Sequence, residues 1–274
     1  MDFLEISIPL DASLQEAVCA ELDFLDYNSF LETEKALLAY IEEEKFDESA
    51  LKEVLGNYQP SPVFSVAKQE KKNWNEEWEK NFEQTEINDR CLIRASFHKP
   101  EKTYEYEIVI NPQMSFGTGH HSTTSMVVDF ELEIDFTEKT VLDVGCGTSI
   151  LSIMAMKRGA KEVVACDIDD WCIENSLQNI KLNDLKNIKV LKGGINEIPH
   201  PHSSYQIILA NINKNVILED LVSYSRYMTE NGYLVLSGFY ENDVQDIVEE
   251  AGKHGFTHKE TKTKNNWASL LLRK

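Results

Sequence analysis

The sequence predicts an α/β chain: a mostly parallel, doubly wound sheet with an antiparallel C-terminal hairpin, preceded by a small α+β domain. Three observations carry this reading. From Asn111 onward, short apolar runs alternate with stretches whose apolar residues recur every three or four positions. One of those runs, Val141-Leu142-Asp143-Val144, leads straight into the glycine turn Gly145-Cys146-Gly147. The acidity is uneven: residues 1–57 hold 15 Asp and Glu against 3 Lys, which is −12 of the total −20 and leaves −8 for the other 217 residues.

Taken in order, Phe3 to Leu10 alternates apolar and polar positions and stops at Pro9, as a strand does. Ser13 is a candidate cap for a helix with Leu14, Ala17, Val18, Leu22 and Leu25 on one face. Phe30 to Ile41 reads as a second strand, with Ala36, Leu37 and Ala39 leaving a helix open. Asp47 can cap a helix that turns Ala50, Leu51, Val54 and Leu55 inward, and Gly56 suits its end. Val63 to Ala67 closes the small domain as a strand. Domain boundaries follow: an acidic α+β domain over 1–68, a helical linker over 69–86 with Trp74, Trp78 and Phe82 on one face, and the large domain over 87–274.

In the large domain, Arg90 to Phe97 and Tyr104 to Ile110 read as a pair of strands. Met126, Val127, Phe130 and Ile134 give the next helix its apolar side. Then come strand 141–144, helix 150–158, strand 162–166, a helix marked by Ile173, Leu177 and Ile180, and strands at Ile188–Val190 and Ile207–Ala210. Helix 214–228, strand 233–236, a helix through Val244 to Ala251 and a hairpin of 256–262 with 267–272 finish the chain. Strands alternating with helices call for a parallel sheet with ligands at its carboxyl edge.

Composition excludes several classes. No apolar run approaches the ~18 residues that span a bilayer. The start Met1-Asp2-Phe3-Leu4-Glu5 has no basic region and does not read as a secretion signal. Five scattered cysteines form no C-x-x-C pair, which argues against a disulfide framework or a metal site and for a reducing cytoplasm. The acidic N-terminal segment repels phosphate backbones, so direct nucleic-acid binding is not expected, and it attracts a basic partner.

The chemistry sits in four segments. After the strand 141–144, Gly145 and Gly147 let the backbone pass close to a ligand. Asp167, twenty residues after Gly147, stands at the end of the next strand, where a carboxylate meets ribose hydroxyls. A dinucleotide site wants a small residue where this chain has Ile150, which weakens that reading; S-adenosylmethionine has no pyrophosphate and needs only D-x-G-x-G. A glycine turn that binds nothing also fits this motif. The loop 111–124 can set N–H groups and hydroxyls around a carboxylate or ammonium, and Ala210-Asn211-Ile212-Asn213 follows the fourth strand at the same sheet edge. His120 and His121 read as loop structure, Cys146 as a small buried filler, Trp267 as sheet packing, and His200 and His202 as a solvated loop.

Phe116-Gly117-Thr118-Gly119-His120-His121-Ser122-Thr123-Thr124, Asp143-Val144-Gly145-Cys146-Gly147, Cys166-Asp167-Ile168-Asp169 and Leu209-Ala210-Asn211-Ile212, in that order, resemble the PrmA family, methyltransferases of the large-subunit ribosomal protein numbered eleven. The resemblance covers roughly residues 70–270, and the F-G-T-G-x-H-x-T-T loop is its specific element. It implies a Rossmann-like class I methyltransferase domain, methylation of lysine ε-amino and N-terminal α-amino groups, and an N-terminal domain that docks the substrate. The family's cofactor contacts fall on Thr124, Gly145, Asp167 and Asn211. Phe116, Gly117, Thr118 and Gly119 of the loop, with Asp143, Gly147 and Ile168, complete the expected S-adenosylmethionine set, Asp143 either orienting the loop or reaching the cofactor ammonium, and Asn211 is the expected catalytic residue. No metal is expected, and a monomer acting on a basic ribosomal protein in the cytoplasm is. Ser149 replaces a usual glycine, and Asn213-Lys214 replace usual neutral residues.

Methyl transfer from a sulfonium to an amine is an in-line displacement on a neutral, aligned nitrogen, so positioning and desolvation supply most of the acceleration. No general base stands out, and the proton is expected to leave to water before attack. The alternatives are the same fold acting on a release-factor glutamine or a nucleic-acid amine, or a non-catalytic cofactor-binding module. The first usually carries Asn-Pro-Pro-Tyr where this chain has Asn211-Ile212-Asn213-Lys214.

Overall fold

The computed structural model describes residues 3–33, 35–58, 60–68, 83–111, 117, 119–199 and 204–274. The chain divides into two compact units, Met1–Asn81 and Phe82–Lys274. The aromatic residues that mark the linker, Trp74, Trp78 and Phe82, lie outside the described residues, as do His200 and His202.

The first unit runs β1 (Phe3–Ile8), α1 (Ala12–Asp23), β2 (Ser29–Glu32), β3 (Leu37–Glu42), α2 (Glu48–Gly56) and β4 (Ser65–Lys68). Its antiparallel sheet has the order β2-β3-β1-β4, the split βαβ arrangement of ferredoxin-like domains. The alternation read from β1 is real: Leu4, Ile6 and Ile8 are buried against Val18 and Leu22 of α1 and Leu51 and Leu55 of α2. Asp47 caps α2 by accepting N–H bonds from Ser49 and Ala50 at 2.8 and 3.1 Å. Two expectations change. The single strand over 30–41 is a hairpin, because Thr33 Oγ1 accepts the Ala36 N–H (3.0 Å) and donates to the Ala36 carbonyl (2.7 Å), which turns the chain back. Helix α1 opens before Ser13, with Asp11 at the cap position and its carbonyl taking the Leu14 N–H at 2.9 Å.

The second unit begins with a three-stranded sheet, β5 (Thr85–Ile87), β6 (Cys91–Ala95) and β7 (Tyr106–Ile110). Thr85 and Glu86 thus open a strand instead of ending the linker helix, since Thr85 to Ile87 pair with Ile93 to Cys91. The main sheet comprises β8 (Thr140–Val144), β9 (Glu162–Asp167), β10 (Ile188–Lys192), β11 (Tyr205–Asn211), β12 (Met228–Tyr240), β13 (Thr257–Lys264) and β14 (Trp267–Arg273). Its order is β10-β9-β8-β11-β12-β14-β13, parallel as far as β12 and antiparallel in the closing hairpin.

Helices cover both faces. Alternate residues of β8 enter opposite layers, as the two-residue period of a strand requires. Val141 packs with Phe130 of α3 (Ser122–Glu133) and Ile153 of α4 (Ile150–Lys157). Leu142 and Val144 pack with Ile217 and Leu221 of α6 (Lys214–Tyr227) and Ile247 of α7 (Val244–Lys253). Strand order reverses between β8 and β11, and open α/β sheets bind ligands at such a reversal.

An asparagine ladder on α5 (Asp170–Leu182) and the residue after it fixes the entry to the site. Asn179 Oδ1 accepts the Asn111 N–H at 2.7 Å, and its Nδ2 donates to the Thr148 carbonyl at 3.0 Å. Asn175 Nδ2 donates to the Asn111 carbonyl at 3.1 Å, and Asn183 exchanges two bonds with Val109 at 3.0 and 2.6 Å. Residues four apart share one helix flank, so this row clamps the end of β7 beside the glycine turn. Among the described residues, no helix is long and apolar enough to cross a membrane.

Candidate active site

A cavity of about 500 Å³ opens at the carboxyl ends of β8, β9, β10 and β11. Gly145, Gly147, Asp167, Ile168 and Asn211, all expected from sequence, line it.

The glycine turn is built for close approach. Gly145 has φ +70°, and a Cβ there would stand 2.2 Å from Ile212 Cγ2. The N–H groups of Gly145 and Cys146 both donate to the Cys166 carbonyl, at 2.9 and 3.0 Å, tying the turn to the end of β9. Gly147 N–H donates to Asp167 Oδ2 at 2.9 Å, and Asp169 N–H to Oδ1 at 3.1 Å. The Asp167 carboxylate is therefore held in one orientation while it still faces the cavity. Ser149 occupies the left-handed region at φ 60°, which explains why glycine suits this position. Its hydroxyl donates to Ser176 Oγ at 2.7 Å, and Ser176 donates to the Gly147 carbonyl at 2.8 Å.

Asp143 stands elsewhere. It is fully buried and does not line the cavity; Oδ2 accepts from Ser152 N–H (3.1 Å) and Ser152 Oγ (2.6 Å), so it joins β8 to the first turn of α4. Burial pushes its carboxyl up to about 6, although the Ser152 bonds act the other way.

The loop before α3 reaches the turn through Thr148, whose Oγ1 donates to the Gly117 carbonyl at 2.6 Å. Gly117 and Gly119 do not line the cavity, and Phe116 and Thr118 lie outside the described residues. The two histidines are structural: His121 caps α3 and its Nδ1 meets Thr123 Oγ1 at 2.7 Å, while His120 Nε2 meets the Glu83 carbonyl at 2.6 Å. Desolvation lowers the proton affinity of His121, which favours its neutral form. Thr124 is fully buried behind the wall, and its Oγ1 accepts from Asn211 Nδ2 at 3.4 Å. That bond leaves Asn211 Oδ1 buried with no partner among the described residues.

Asn213 lines the cavity without making a side-chain cap to α6, and Lys214 is drawn away by Asp243 and Asp246 at 2.8 and 2.7 Å. Cys146 is a buried filler whose Sγ lies 3.5 Å from Ser176 Oγ, and burial raises its thiol well above the ordinary value. Trp267 packs on the sheet as expected, paired with Tyr240 across β12 and β14, and it reaches the cavity as well. It lines the cavity, stacks on Tyr240 (centroids 4.3 Å) and meets the His121 ring edge to face at 4.8 Å.

A family model described as "Ribosomal protein L11 methyltransferase (PrmA)" matches residues 6–274. The chain belongs to this family. A relative of that name from Phocaeicola vulgatus is 45% identical over 98% of both chains, and one from Chlorobaculum tepidum is 34% identical over 98% of this chain and 96% of its own. A solved ribosomal protein L11 methylase from Lactobacillus delbrueckii subsp. bulgaricus superposes with a TM-score of 0.65 at 24% identity, covering 70% of this chain and all of that one. A solved methyltransferase from Pyrococcus furiosus gives 0.52 at 18% identity over 61% of this chain and 88% of its own. These two support the fold.

The family uses S-adenosylmethionine, and the residues here fit that group. Its sulfonium and ammonium are positive, and Asp167, Asp169 and Asp220 line the cavity. The close approach at Gly145 and the unpartnered Asn211 oxygen are further features that a bound group would use. Sequence reasoning missed Asp220, Trp267 and Gly238. Gly238 has a signal only in three dimensions: at φ +99°, its Cβ would stand 2.2 Å from the Ile212 carbonyl oxygen.

Proposed function

We propose that the chain methylates lysine ε-amino and N-terminal α-amino groups of a basic large-subunit ribosomal protein, working as a monomer in the cytoplasm. The observation that carries this reading is the buried Asn211 Oδ1, an acceptor at the sheet edge with no partner among the described residues. Such an atom costs about 1–3 kcal/mol until an N–H donor arrives. A neutral amine is that donor. Accepting one of its hydrogens, Asn211 turns the nitrogen lone pair toward the cavity, and Thr124 holds the other end of the amide.

The bound cofactor supplies an electrophilic methyl on a positive sulfur. Asp167 would hold the ribose and the Gly145–Gly147 turn would pass beneath the cofactor. Thr124 would support the methionine end through Asn211, with Phe116, Gly117, Thr118 and Gly119 as its loop. Ile168 would cover the base, and Asp143 would keep the turn and α4 in register. The amine gives its proton to water before attack, because His121 Nδ1 is engaged by Thr123. The acidic unit over residues 1–68 would dock the basic substrate, joined to the catalytic domain over 87–274 by the segment 69–86. That acidity also disfavours direct contact with nucleic acid.

The test is transfer of labelled methyl from S-adenosylmethionine to a purified ribosomal-protein mixture, with Asn211→Ala as control. The expected result is label on one large-subunit protein, reduced about 100-fold in the variant, in the range for loss of one transition-state hydrogen bond. Cofactor binding with no label on any ribosomal protein overturns the assignment and turns the search to release factors, nucleic acids or a binding-only role.

A further inference from the structure

The turn after β10 brings no side chain to the cavity wall, since its lining residues there are Gly193 and Gly194. Gly194 N–H is committed to Glu197 Oε2 at 3.0 Å. The polar group facing this end comes instead from α6, whose Val216 and Asp220, four residues apart, share the flank that lines the cavity.

Asp220 is held for a purpose that its own packing does not explain. It is 8% exposed. Its Oδ1 accepts from Asn196 Nδ2 at 3.1 Å, and Asn196 Oδ1 in turn accepts from Ser223 Oγ at 2.6 Å. This two-step anchor fixes the carboxylate plane. Oδ2 has no hydrogen-bond partner among the described residues. A carboxylate oxygen left open at a cavity wall accepts from an N–H donor, and such a bond strengthens once a ligand displaces the water there.

The cofactor reading, on which this inference rests, says what donor arrives. Asp167 marks the ribose, and Ile168, 74% exposed, stands beside it as an apolar surface for a flat base. Gly193, Gly194 and Asp220 line the same cavity as Ile168. We propose that Asp220 reads the 6-amino group of the adenine, with Asn196 as the positioning residue that aims it. An amino group offers hydrogens to the carboxylate. A 6-oxo group in the same place offers only lone pairs and is repelled. Burial and the neighbouring Glu219 raise the Asp220 carboxyl above its ordinary value, in keeping with a group shielded from water.

The experiment measures binding of S-adenosylhomocysteine and of its 6-oxo counterpart, S-inosylhomocysteine, to the full chain by calorimetry. The proteins are the wild type, Asp220→Ala and Asp220→Asn. Wild type is expected to favour the amino form by about 10- to 100-fold, the range for a hydrogen bond to a charged group. Asp220→Ala should lose most of that preference by weakening the amino form alone. In Asp220→Asn, the amide oxygen stays with the Asn196 donor and the amide nitrogen turns to the base, so the preference should invert toward the 6-oxo form. Equal weakening of both ligands by Asp220→Ala, or an unchanged preference in Asp220→Asn, overturns the proposal and leaves Asp220 a packing residue. Wild type that binds neither ligand sinks the cofactor reading first and this inference with it.

Discussion

Asp143 should make the larger domain less stable as pH rises. Its carboxyl is fully buried and pushed from its ordinary 3.8 to about 6, with Oδ1 unpartnered among the described residues. Between those two values the folded chain holds a proton that the unfolded chain has released. The stabilising contribution is therefore complete below 3.8 and is lost as pH climbs through 6. At about 1.4 kcal/mol for each tenfold change in proton affinity, the whole loss comes to about 3 kcal/mol. Roughly half of it, about 1.4 kcal/mol, falls between pH 5 and pH 8. Asp143→Asn keeps an oxygen for the Ser152 N–H and hydroxyl but does not ionise. Urea unfolding of the cofactor-free protein at pH 5 and pH 8 checks this. The variant should gain on its parent by that amount, a midpoint change of about 0.5 M for a domain of this size. Glu131, also fully buried with both carboxylate oxygens unpartnered among the described residues, is raised first by burial and then by the Asp143 charge, so the comparison is made in a Glu131→Gln background where only residue 143 differs. Parallel pH profiles for variant and parent would refute the reasoning, because Asp143 would then be titrating as it does in the unfolded chain.

The remaining predictions concern how the site is held. Gly238→Ala should cost about 3 kcal/mol and lower the melting temperature by roughly 10 °C, because the new methyl meets the Ile212 carbonyl at 2.2 Å in a left-handed backbone. Gly252→Ala, with nothing within 4 Å and a helical backbone, should instead raise it slightly; equal effects in a melting assay would rule out the clash as the cause. Asn179→Ala strands the Asn111 N–H and the Thr148 carbonyl, a loss of about 2–5 kcal/mol together. It should also weaken S-adenosylhomocysteine binding, and calorimetry showing full affinity would mean that the loop holds without the ladder.

Much of this was legible in one dimension. The buried strand ending at Val144, the turn at Gly145 and Gly147, and the carboxylate at Asp167 are local features, separated by a single βα crossover, and all reach the cavity where spacing places them. Asn211 was legible for the same reason, as the residue after a buried apolar run. The α2 cap at Asp47 is equally local. Propensity failed where a short turn interrupts an apolar stretch, as at Thr33 to Ala36, and where strand pairing recruits residues of helical composition, as at Thr85 and Glu86.

The roles left open depend on partners far along the chain. Asp143 allowed two readings, orienting the loop or reaching the cofactor; a strand residue's direction is set by register, and register turns it to Ser152 and away from the cavity. Trp267 does pack on the sheet, against Tyr240, and what the sequence left out is that the order β12-β14-β13 also brings this first residue of its strand to the cavity. Asp220 and Asn196 are unremarkable helix and loop residues until the crossover folds them to 3.1 Å. The sequence by itself determined the alternation of strands and helices, the glycine turn and the two acceptor positions, because each rests on residue type and short-range period. Only the tertiary structure decided which polar groups face the cavity and which are spent in the core, because a side chain's chemistry depends on the neighbours that burial assigns to it.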